Sequence, residues 1–145
     1  MTAGSARLTL GPLRFNWPAE RQRDFYFRIA EEAPVDVVYL GEVVCIKRAP
    51  FTAPIFPEVI ERLVRAGKEV VLSTLALVST DRELDMVRAL VENGAHLVEA
   101  NDLSALSLLQ GRRHAVGPLV NVYNEGTLAW LARNGACRVV LPAEL

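Results

Sequence analysis

Short apolar runs rich in valine and leucine alternate along the chain with amphipathic stretches of helical length, the pattern of βα units laid around a parallel sheet. The expected strands lie at residues 8–10, 35–40, 69–73, 97–100, 115–117 and 138–141. The third and sixth are nearly continuous in apolar residues, as strands covered on both faces are. Helices are expected at residues 19–33, 54–66, 81–93, 102–109 and 125–134. Gly67, Gly94 and Gly135 each follow such a run, where a left-handed residue ends a helix, and Thr80 with Glu83 predicts a capping box. Leu84, Val87, Leu90 and Val91 fall on one face of the helix that follows. Residues 49–57 carry three prolines and predict a loop that is non-helical or initiates a helix.

No linker or low-complexity tract divides the pattern, so the 145 residues, 51% of them apolar, predict one domain with a single core. Six βα units suit either an open doubly wound sheet or most of a (β/α) barrel, which usually takes about 250 residues. The chain stops at Leu145, just past the sixth strand, and the expectation is an α/β domain cut off within its pattern. Neither GxGxxG after the first strand nor GxxxxGK[ST] occurs, which removes the two plainest nucleotide-binding readings. Sixteen lysines and arginines against 17 aspartates and glutamates leave a net charge of -1, so no bulk field favours nucleic acid or an anionic membrane. Residues 1–10 lack the apolar core of a signal peptide, and the longest apolar stretch, 70–78, is far short of the roughly 20 residues of a membrane span. A cytoplasmic protein without a span is expected.

In either parallel architecture, functional groups gather at the C-terminal ends of the strands. That rule selects Glu42, Cys45, Lys47 and Arg48, then Ser73 and Thr74, then Glu99, Asn101 and Asp102, then Asn121, Tyr123 and Asn124, and finally Glu144. Cys45 reads either as a loop thiol filling a gap or as a metal ligand or nucleophile, with the charges of Lys47 and Arg48 favouring its thiolate. Cys137, at the entrance to a strand, reads as a small buried thiol. Glu42 and Glu99 would serve as an acid/base pair only if close together, and salt-bridged or surface carboxylates are commoner. His96 and His114 flank strands at the opposite, N-terminal ends, where structural roles are expected. No GxSxG elbow is present, and no histidine stands at a strand's C-terminal end, so a serine hydrolase is not expected.

Six segments carry a resemblance: LGPL (10–13), VDVVYLGEVVCIKR (35–48), GKEVVLSTLALV (67–78), VEANDLSAL (98–106), GPLVNVYNEGTLAWL (117–131) and VVLPAEL (139–145). In order and spacing the chain resembles the N-terminal part of the peptidase U32 family, in its branch that serves oxygen-independent ubiquinone biosynthesis. The resemblance implies the first six βα units of a TIM-like barrel, a [4Fe-4S] cluster, a heterodimer with a UbiU-like U32 homologue and a lipid-carrier-like accessory protein. It implies quinone ring hydroxylation without dioxygen, with prephenate as oxygen donor. Cys45 matches the first of four cluster cysteines. The other three lie in the later part of the family's sequence, absent from this chain, and Cys137 matches none, so the cluster is expected in the complete protein and not stably here. The cysteine signature of the U32 peptidases is also missing. A hydroxylase-complex subunit is therefore expected ahead of a true peptidase or a non-catalytic binding partner.

Overall fold

The computed structural model describes residues 6–145; the first five residues, part of the stretch read above for a leader, lie outside the described residues. The apolar runs form β1 (Thr9–Leu10), β2 (Val37–Leu40), β3 (Glu69–Ser73), β4 (Leu97–Ala100), β5 (His114–Val116) and β6 (Ala136–Val139). Every pairing is parallel, and the strand order follows the chain from β1 to β6. A doubly wound sheet reverses its order at a switch point. This sheet winds in one direction only, as a (β/α) barrel does.

Its curvature can be read from one side chain. Arg138 of β6 donates to the Tyr39 hydroxyl of β2 at 3.3 Å and to the Glu69 carboxylate of β3 at 3.1 and 3.2 Å. At about 4.8 Å per step, β2 and β6 would stand about 19 Å apart in a flat sheet, beyond the reach of any arginine. The strands form a curled half-barrel, and Arg138 is a chord across its concave face.

Helices fill the connections between the strands: α1 (Ala19–Glu32), the pair α2 (Ala49–Thr52) and α3 (Phe56–Arg65) between β2 and β3, α4 (Asp81–Asn93), α5 (Leu103–Leu108) and α6 (Glu125–Arg133). Val38, Leu40 and Val70 pack against Tyr26 and Ala30 of α1 and Val59 and Leu63 of α3. Val98, Ala100 and Val116 pack against Val87 and Val91 of α4, Ala105 and Leu106 of α5, and Leu131 of α6. The strand residues one step out of phase, Val37, Tyr39, Val71 and Ala115, form a separate buried cluster on the concave side, as the two-residue period of a strand requires. No helix among the described residues is long and apolar enough to cross a membrane.

The proline-bearing segment initiates helix. Two 3₁₀ turns, Ile46–Arg48 and Ala53–Ile55, flank α2 and lead into α3; Pro50, Pro54 and Pro57 stand in the first turns of α2, the second 3₁₀ turn and α3, where a missing N–H breaks no helical bond. The expected position of β6 is corrected: it begins two residues earlier, because the register with β5 slips between His114 and Ala115 and Cys137 becomes the extra residue of a bulge. The same slip corrects the reading of Cys137 as a buried thiol. It is exposed, with Sγ donating to the His114 carbonyl at 3.3 Å.

The capping box at α4 is present. The Thr80 hydroxyl accepts from the Glu83 N–H at 3.3 Å while the Glu83 carboxylate accepts from the Thr80 N–H at 2.9 Å. Thr80→Ala is expected to lower the unfolding free energy by about 1 kcal/mol. Urea denaturation checks this, and an unshifted midpoint would show that the box contributes nothing here.

Candidate site at the mouth of the half-barrel

The C-terminal ends of the strands border a cavity of about 480 Å³. Pro12, Val43, Pro118 and Val140 supply apolar wall, and Arg14, Tyr39, Glu99, Asn101 and Arg138 supply the polar groups. Its centre is Glu99, which β4 directs to the concave side and which is only 2% exposed. One carboxylate oxygen, Oε2, accepts from Ser73 Oγ at 2.6 Å and from Asn101 Nδ2 at 3.0 Å. Asn101 is itself held by Thr74, its N–H reaching the threonine hydroxyl at 3.0 Å and its Nδ2 the threonine carbonyl at 3.2 Å. Both of these bonds use Oε2, and Oε1 takes part in neither. Burial pushes the Glu99 carboxyl up from its ordinary range, outweighing the opposite pull of Ser73, Asn101 and the Arg14 charge. A carboxyl with one oxygen engaged, the other outside those bonds and a raised pKa is suited to exchanging a proton with a bound molecule.

Gly117, just after β5, makes this arrangement possible. A Cβ there would lie 1.9 Å from Asn101 Oδ1 and 3.0 Å from Glu99 Oε1, so any side chain would displace the pair. Gly41 does similar work at the end of β2, where φ is +148° and a Cβ would meet the Ser73 carbonyl at 2.3 Å. The loop that follows is tightly held. Glu42 accepts from the N–H groups of Val44 and Cys45 at 2.8 and 3.0 Å, and the Val43 carbonyl accepts from Ala76 at 2.8 Å. Cys45 is thereby fixed, half-buried, two residues beyond the cavity wall.

Of the residues expected at the strand ends, Ser73, Thr74, Glu99 and Asn101 meet in one network. The others stand apart from it. Glu42 shares no hydrogen bond with Glu99, Lys47 is exposed, and Arg48 donates to the Arg14 carbonyl at 3.2 Å. Asp102 and Asn124 cap α5 and α6 through Ser104 and Thr127, each at 2.8 Å. Asn121 is exposed in the left-handed conformation, and the exposed Tyr123 donates to Glu144. Sequence reasoning missed Tyr39, Arg138, Arg14 and Gly117. A charged residue inside the apolar run RVVL was the one available signal for Arg138. In the cavity lining, burial pushes the Tyr39 hydroxyl up, with Arg138 opposing. Burial also pushes the Glu69 carboxyl up, but Arg7 and Arg138 together outweigh it and hold the group below its ordinary range.

Among the described residues no three His, Cys, Asp or Glu side chains are grouped to hold a metal ion. Cys45 follows the C-terminal end of β2, whereas Cys137 lies toward the opposite end of the sheet, in the part of β6 paired near His114. One thiolate at the mouth does not fit a four-iron cluster, which takes about four.

A family model described as Peptidase family U32 matches residues 26–145. No solved structure matches the chain.

Proposed function

Because the chain belongs to peptidase family U32, we propose that it is a UbiV-type subunit of oxygen-independent ubiquinone biosynthesis, acting in quinone ring hydroxylation with a UbiU-like homologue and a lipid-carrier-like accessory protein. In this reading residues 1–145 belong to one barrel domain that works in the cytoplasm. The observation that carries the reading is Cys45 itself, half-buried after the C-terminal end of β2, held there by Glu42 and two residues past Val43 of the cavity wall. It is one ligand of a [4Fe-4S] cluster whose other three thiolates come from outside this chain. The cluster, when bound, supplies electron transfer; the residues present here supply the rest. Pro12, Val43 and Pro118 give an apolar wall to a ring-shaped ligand, and Glu99 exchanges a proton with it through Oε1.

The test is the iron and acid-labile sulfide content of the complete protein, purified without oxygen, beside its Cys45→Ala variant. Cluster absorption with about four irons per chain in the parent, and its loss in the variant, is the expected result. Iron and sulfide unchanged by the substitution would reject Cys45 as a ligand and, with it, the observation on which the reading stands.

A further inference from the structure

A second cavity, of about 290 Å³, lies on the convex side at the N-terminal end of β5, between α5 and α6. Leu106, Leu131 and Trp130 give it apolar walls, Ser107 lies on its α5 side, and His114 contributes to the lining. His114 is 1% exposed, and its Nδ1 lies 2.8 Å from the Arg112 carbonyl. A carbonyl only accepts, so Nδ1 carries a proton, and in the neutral form of this ring the lone pair is at Nε2. That nitrogen is buried and has no partner among the described residues. An unpaired buried acceptor is unfavourable, and the native structure gains when a donor reaches it.

We propose that this groove binds a small neutral molecule with an apolar body and one hydroxyl group, the body lying among Leu106, Leu131 and Trp130 and the hydroxyl donating to His114 Nε2. The volume fits a single ring. Trp130 is half exposed, so entry of the ligand asks only that a surface side chain turn. The lining holds no carboxylate to pair with an ammonium group, and a lone imidazole nitrogen does not make a metal site. The groove is separate from the mouth of the half-barrel and takes no part in the function proposed for that site.

Phenol and benzene are the probes, since they differ in the hydroxyl alone. With histidine ¹⁵N-labelled, phenol is expected to shift the His114 Nε2 resonance to saturation and to bind about tenfold more tightly than benzene, the difference one net hydrogen bond makes. Ser107→Trp replaces an exposed residue and fills the groove. It should abolish the shift while the amide spectrum stays that of the folded chain. His114→Phe, if it folds, should bind the two probes equally. An Nε2 resonance that phenol leaves unmoved, or equal binding of phenol and benzene to the parent, would overturn the proposal and leave water as the partner of His114.

Discussion

Gly117→Ala is expected to lower the unfolding free energy by about 3 kcal/mol, combining a steric overlap in a packed site with hydrogen bonds lost by buried groups. The glycine sits at φ −82° and ψ 167°, a conformation alanine adopts freely, so the cost comes from the space the methyl enters and not from the backbone. The new Cβ meets Asn101 Oδ1 at 1.9 Å. Asn101 must turn away, which releases its bonds to Thr74 and Glu99. Urea denaturation measures the effect. In an Asn101→Ala background the same substitution should cost much less, because its main obstacle has gone and only the 3.0 Å approach to Glu99 Oε1 remains. A full additional loss in the double variant would show that the methyl acts somewhere other than on Asn101.

The second large effect is expected at Glu99→Gln. Burial raises the folded pKa of Glu99 above its unfolded value, so the folded state holds this proton more tightly. The stability that the group contributes is fully present below the unfolded pKa and is lost as pH rises through the folded one. Glutamine has no such proton, and its amide oxygen still accepts from Ser73 and Asn101. Parent and variant should therefore differ least below the unfolded pKa, with the variant gaining relative to the parent as pH rises through the raised folded one. Denaturation midpoints along that range check this, and parallel profiles would remove the raised pKa. In the complete protein, on the function proposed here, the variant should also lose turnover by about 100-fold or more, as removal of a positioned proton carrier does.

Most of the strands and helices were legible because they depend on local chemistry. The run EVVLS and the Thr80–Glu83 box with Gly94 give β3 and α4 their observed limits. The class of fold was also legible, but periodicity left an open sheet and a barrel both standing, since strand order depends on contacts between residues far apart in sequence; the barrel implied by the resemblance is the one the strand order bears out. The strand-end rule found Ser73, Thr74, Glu99 and Asn101, which lie at or just past the ends of two adjacent strands. It could not find Tyr39 and Arg138, which meet only after the sheet has curled. Arg138 was doubly hidden: the bulge at Cys137 determines which way it points, and a bulge in β6 leaves no mark in composition. Gly117 read as the end of a strand, and its importance lies in an atom it does not have.

The chord formed by Arg138 bears on how firmly the half-barrel keeps its shape. Its ends, Tyr39 and Arg138, are 99 residues apart, whereas β2 and β3 meet across about 30. Because closure entropy grows only with the logarithm of loop length, the longer link costs about 1 kcal/mol more than one step from strand to neighbouring strand. The guanidinium and carboxylate that form it are each roughly a third exposed, which places their attraction at about 0–1 kcal/mol. The polar chord by itself thus adds little to the energy that keeps the sheet curled. The apolar cluster of Val37, Tyr39, Val71 and Ala115 on the same face carries more of it, so the hollow is held by packing and only trimmed by charge.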